Sequence, residues 1–240
     1  MSNEKRKILM LVEGAKTDFR LMKHLLHVYG IDGRHQIVSY DTNIYALYDT
    51  MFRNANPADM DILQHLKEHE PNPARKILFD KHYSDILLVF DLDPHDRRFS
   101  CDEISELAAF FVESSDMGKL YLNYPMVELF YHMKSIPDPD YDSYIATLEE
   151  LRDKSYKSRV NAENRNHDYT KFAVGKRECD IVIRQNIDKA LRLTNDEGAL
   201  PPNSRTILKN QLEKLQNVGA IDVLCTCAFY IADYNPKLLL

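Results

Sequence analysis

Three carboxylates in this chain stand directly behind uninterrupted apolar runs. Glu13 follows Ile8 to Val12 in "KILMLVEG", and Asp91 and Asp93 follow the run in "DILLVFDLD". An apolar run that stops at an acid is the pattern of a buried parallel strand, and in an open parallel sheet the carboxyl ends of the strands share one edge above which ligands bind. Residues i and i+2 past a strand reach one point if the loop turns over it, so the three acids are expected to converge. Carboxylates a few ångströms apart raise one another's pKa, a cost that a divalent cation removes. Oxygen donors select Mg²⁺ or Mn²⁺ over zinc. Gly14, without a Cβ, permits a sharp turn or a close backbone approach to phosphate. Singly, these residues also have plain readings: a Glu before a helix complements its dipole, and acidic loop residues form turns.

The elements that would position them alternate. "KILMLVEG" reads as a central strand, and from Thr17 the residues Phe19, Met22, Leu25, Leu26 and Tyr29 recur at helical spacing, with Thr17 as N-cap and Gly30 as stop. "HQIVSY" is a second strand, and Asn43 to His82 reads as two or three short helices punctuated by Pro57, Pro71 and Pro73. Asp85 to Phe90 is a buried strand, "DEISELAAFFVES" an amphipathic helix and "KLYLNYP" a further strand, after which Pro125 at a first helical turn would open "MVELFYHM". Strands alternating with helices predict a mainly parallel sheet. Beyond the linker "SIPDPDYD" everything reads as helix: Tyr141 to Tyr156, Lys176 to Leu193, Ser204 to Gln216 and Ala220 to Tyr234.

These residues resemble a known family. "LVEGAKTD" followed by "LLVFDLD" looks like the two signature blocks of a TOPRIM domain, the metal-dependent fold of topoisomerases, bacterial primases and several nucleases. "YLNYPMVELFYH" is similar to the S-N-P-x-F-E block of TOPRIM nucleases of the OLD and RloB-like kind; Asn123, Pro125 and Glu128 match it, with Tyr124 as an extra residue. The likeness covers about residues 5 to 134. It implies an α/β fold, a Rossmann-like TOPRIM parallel sheet flanked by helices, with residues 1–136 as the TOPRIM domain, a helical insertion at about 43–82 and a helical C-terminal region at 137–240. It also implies that Glu13, Asp91 and Asp93 are catalytic and organise one or two metal ions for phosphodiester chemistry, with Glu128 as a further metal or supporting residue. With two ions, one activates the attacking water and the other stabilises the leaving oxygen. The chain departs from the pattern where "DLDPHD" continues with Pro94, His95 and Asp96 instead of a glycine. His95 could assist proton transfer or ligate metal, and a lone loop histidine can equally do neither. Lys119, just before a strand, could neutralise charge on the phosphate or simply be solvated.

The chain has 240 residues, 44% of them hydrophobic, enough for a sizeable core. Its 31 Lys+Arg against 37 Asp+Glu give a net charge of -6, so nucleic acid would have to bind through a local patch. The segment from Arg152 to Arg177 supplies one: Lys154, Lys157, Arg159, Arg165, Lys171, Lys176 and Arg177 are its candidate contacts, and Tyr156, His167, Tyr169 and Phe172 are interleaved for stacking on unpaired bases. RNA such as a tRNA loop is preferred over duplex DNA as substrate, and the alternative is a solvated helical face. The four cysteines lack zinc spacing and fit a reducing compartment, hence the cytoplasm, and no apolar run is long enough for a signal peptide or a membrane span. By the resemblance, such nucleases act as toxic effectors in prokaryotic anti-phage defence beside an ABC- or OLD-type ATPase. The chain has no G-x-x-x-x-G-K-[ST] loop, so that ATPase would be a separate subunit. A homo-oligomer is expected, and in the scaffold reading below the apolar helix Ala220 to Tyr234 would serve oligomerisation. Two other readings stay open, a non-catalytic TOPRIM scaffold and a TOPRIM enzyme of RNA maturation or nucleotidyl transfer.

Overall fold

Ile8 to Val12 are all buried because the strand they form, β1 (Lys7–Val12), lies between two parallel neighbours, β2 (His35–Ser39) and β3 (Tyr83–Asp91). The computed structural model describes residues 7–53, 56–115, 117–195 and 202–239. Two further strands, β4 (Val112–Glu113) and β5 (Gly118–Asn123), complete a five-stranded sheet of order β2-β1-β3-β5-β4, parallel except for the edge strand β4. Helix α1 (Thr17–Val28) joins β1 to β2, while α2 (Ile44–Met51), α3 (Ile62–His69) and α4 (Pro73–Lys76) form the insertion before β3. After β3 comes α5 (Cys101–Phe110), whose first turn is capped by the Ser100 side chain. The fold is mixed α/β, with a mostly parallel sheet flanked by helices.

The C-terminal half contains β6 (Ile145–Thr147), α6 (Leu148–Arg152), α7 (Ser155–Glu163), α8 (Lys176–Thr194), α9 (Ser204–Val218), β7 (Ala220–Asp222) and α10 (Tyr230–Tyr234). The two long helices fall where their periodicity predicts, and Gly219, at φ +67°, ends α9 in the left-handed conformation that glycine adopts without penalty.

Four expectations fail. Thr17 is the first residue of α1, not its cap; Lys16 holds the cap position without a side-chain hydrogen bond. Pro125 opens no α-helix: it follows a cis peptide bond, Met126 is extended, and Val127–Tyr131 form one buried 3₁₀ turn with no solvent face for an amphipathic helix to present. Tyr141 to Tyr156 is not one helix, because Ile145–Thr147 pair antiparallel with β7. Ala220 to Tyr234 is a strand, an extended segment, a 3₁₀ turn and a five-residue helix. Its Leu224 exchanges backbone hydrogen bonds with Tyr124 just past β5, at 2.9 and 3.1 Å, so this apolar stretch is spent inside the core. Buried side chains of both halves form one continuous hydrophobic cluster.

Candidate active site

Past the last rung of the sheet, backbone geometry fixes Glu13 before its side chain does anything. Its N–H donates to Val89 O (3.0 Å) and its carbonyl accepts from the Asp41 N–H (3.0 Å). Its carboxylate Oε2 accepts the Asp91 N–H at 3.1 Å, tying the end of β1 to the end of β3. Asp91, 7% exposed, accepts Asn123 Nδ2 at 3.1 Å, and the Asn123 Oδ1 in turn accepts the Cys227 N–H at 3.2 Å. Asp93 sits at φ +38°, a left-handed conformation that aspartate tolerates better than most side chains, and its N–H donates to Pro125 O at 3.2 Å. That turn swings the second aspartate back over the sheet edge.

Glu13, Asp91 and Asp93 thus line one open cavity of about 640 Å³, together with Asp18, Glu128, Lys16 and Lys157. Glu128 is carried on the buried 3₁₀ turn after β5, and α7 brings Lys157 to it, Nζ to Oε1 at 2.9 Å. Asp18 comes from the first turn of α1; it is 6% exposed, and its Oδ1 is buried without a hydrogen-bond partner among the described residues. Gly14 makes room for it: a Cβ there would stand 2.6 Å from Asp18 Oδ2.

With Asp41, which pairs with Arg75, six carboxylates line the cavity against the ammonium groups of Lys16 and Lys157, and this leaves an electrostatic imbalance. Burial, and then the charge of Asp93, push Glu13 up to about 8. Burial, then the charge of Glu128, push Asp18 up to about 6. Asp91 is held well above the usual carboxylate range, by burial first and by the charges of Asp18 and Glu13 next. Asp93 is raised by burial, with His95 and Lys157 opposing. Burial acts to lower Lys157, but Glu128, Asp91 and Asp93 outweigh it and raise the ammonium above its ordinary value.

Among the described residues no three His, Cys, Asp or Glu side chains already form a metal cage. The donor set nonetheless suits a hard divalent cation: all oxygen, mutually repelling, and including an orphaned carboxylate oxygen. A cation would relieve the same repulsion that protonation relieves here.

The structure does not bring every sequence-predicted residue to this cavity. Lys119 lies within β5 opposite Leu87, four rungs below the Asp91 and Asn123 pair, roughly 13 Å away at ~3.3 Å per residue. Its ammonium pairs with Asp233, which also accepts the Tyr121 hydroxyl, so it is absent from the acidic edge. Of the basic segment only Lys157 lines the acidic cavity, and Lys154 lines a smaller one beside it. Arg159 is bound to Ile145 O and to Glu150 (2.8 Å), Arg165 to Glu178 (2.7 Å), Lys171 to Asp168 (3.4 Å) and Lys176 to Asp180 (2.9 Å), while Arg177 is exposed. Phe172 is a core residue and Tyr169 stacks on Tyr131 with centroids 4.3 Å apart, so these two rings are spent on packing, while Tyr156 is buried beneath the smaller cavity. Sequence reasoning missed Asp18 as a site residue, although it ends the stretch "LVEGAKTD" that contains Glu13. An acid in the first turn of the helix behind Gly14 was the available signal.

A scan against protein-family models finds no matching family, and searches of curated proteins and of solved structures find no match.

Proposed function

We propose that this chain is a Mg²⁺- or Mn²⁺-dependent nuclease of the TOPRIM kind, hydrolysing phosphodiester bonds in nucleic acid, with RNA such as tRNA preferred over DNA. The observation that carries the reading is the convergence of Glu13, Asp18, Asp91, Asp93 and Glu128 on one cavity, with burial and mutual charge raising Glu13, Asp18, Asp91 and Asp93 above their ordinary pKa. A fold gains nothing from clustering unpaired acids, and such clusters mark sites that bind cations or move protons. These five carboxylates would hold the ion or ions, which supply an activated water and charge stabilisation at phosphorus. Asn123 orients Asp91, and the Asp91 N–H orients Glu13. Glu13 would either help to hold an ion or accept a proton from water, and Lys157 would meet the negative charge of the phosphate oxygens. The resemblance extends the proposal to a role as an effector in anti-phage defence beside a separate ABC- or OLD-type ATPase.

Incubating the chain with tRNA, single-stranded RNA and plasmid DNA in Mg²⁺, Mn²⁺ or EDTA, with Asp91→Ala in parallel, tests this. Metal-dependent cleavage that the variant loses by at least about a hundredfold is expected; cleavage at the wild-type rate in Asp91→Ala sinks the reading.

A further inference from the structure

Beside the acidic cavity lies a second one of about 230 Å³, and Asp93, Met126 and Lys157 line both. Its walls are of two kinds. Met126, Leu151 and Tyr156, all buried, give an apolar floor. His95, Lys154 and Lys157, with the carboxylates of Asp93 and Glu150, the latter paired with Arg159, give a polar rim. Neither ring nitrogen of His95 is hydrogen-bonded among the described residues, and Nδ1 is buried as well, which is unfavourable unless a ligand or water pairs it. Lys154 stands at φ +65° in the turn between α6 and α7, exposed, with no ion-pair partner among the described residues.

We infer that this cavity receives the base of the nucleotide flanking the scissile phosphate, so that the enzyme acts on unpaired nucleotides, in RNA or in single-stranded DNA. The inference rests on the nuclease reading and adds its substrate class. Size argues for one planar heterocycle: the volume is below the ~300 Å³ at which pockets for larger small molecules begin. Chemistry argues the same way, since a base has apolar faces for Met126 and Leu151 and a polar edge for the imidazole, while its phosphate stays in the neighbouring cavity between Lys157 and the carboxylates. Lys154 then faces the next phosphate along the strand. A base held in a duplex stack cannot enter without being flipped out, which costs pairing and stacking energy.

Short single-stranded RNA and DNA oligonucleotides, each with one abasic position moved stepwise along the strand, are measured for binding by fluorescence anisotropy in Ca²⁺ and for cleavage in Mn²⁺, with a duplex as a third arm. At one position, loss of the base is expected to weaken binding about tenfold. The penalty should shrink in His95→Ala and in Leu151→Phe, which fills the floor; circular dichroism checks that each variant is folded. Equal tolerance of the abasic position along the whole strand, or a duplex bound as tightly as the single strand, overturns the base cavity. A chain that cleaves with uniform tolerance keeps the nuclease reading and loses the base cavity. One that shows the position-dependent penalty without ever cleaving keeps the base cavity and loses the nuclease. Comparable penalties in the RNA and DNA arms support recognition of the base itself; a penalty in the RNA arm alone restricts the substrate to RNA.

Discussion

Buried carboxylates crowd the sheet edge, and this makes stability depend on pH in a definite direction. The folded chain keeps a proton on Glu13 up to about pH 8, whereas the unfolded chain releases it near 4.5. Between those values the folded state binds more protons, so the contribution of Glu13 to stability falls as pH rises. The melting temperature in EDTA is expected to drop between about pH 5 and pH 8, to recover with Mn²⁺ or Mg²⁺, and to flatten in Glu13→Gln. A flat profile in the wild type contradicts the buried cluster. Asp91→Asn removes a buried charge and retains an oxygen acceptor for Asn123 Nδ2, so it should raise the melting temperature at pH 8 without metal while abolishing cleavage. Glu13, Asp91 and Asp93 were legible in the sequence because an apolar run ending in acid is a local signal that the parallel sheet turns directly into a location. Asp18 was not, because the same stretch reads as the opening of an amphipathic helix, and its burial depends on the missing side chain of Gly14.

Elements decide which of the basic residues line the cavities at the sheet edge. Helix α7 and the turn before it carry Lys154, Lys157 and Arg159, yet the three have separate tasks. Arg159 braces β6 and α6 and lies over the Tyr156 ring, so Arg159→Glu should destabilise the fold by about 2 kcal/mol or more in chemical denaturation. Lys154→Glu should leave stability unchanged and weaken oligonucleotide binding with a flatter salt dependence. Equal stability losses in the two variants would show that this division is wrong. At the other wall, Gly14→Ala forces Asp18 Oδ2 aside, and because that atom is the tip of a side chain the fold should survive while metal affinity falls about tenfold by titration calorimetry. Long periodic elements, α1, α5, α8 and α9, were readable from the sequence. The three-residue strands β6 and β7 were not, since each exists only through a partner far along the chain, and an apolar stretch such as Ala220 to Tyr234 has no period that separates core strand and loop from buried helix.

Across the whole molecule, the C-terminal segment is a structural part of the acidic edge. Leu224 extends the ladder at Tyr124, the Thr226 hydroxyl donates to Leu122 O (2.8 Å), and the Cys227 N–H holds Asn123, which holds Asp91. A chain cut after Gly219 should therefore lose amide protection in β5 as well as activity, measured by hydrogen exchange; full protection of β5 would mean that the segment only covers a sheet already complete. The link between Asn123 and Cys227 spans 104 positions of sequence. A ribosome adding about 5–20 residues per second needs about 5 to 20 seconds to cover that distance. During that interval all five strands of the sheet and both aspartates have been made, but the contact that holds Asn123 against Asp91 does not exist. A nascent chain of this protein thus carries its acidic edge without the contact that steadies Asn123 against Asp91 until the C-terminal segment has emerged and docked.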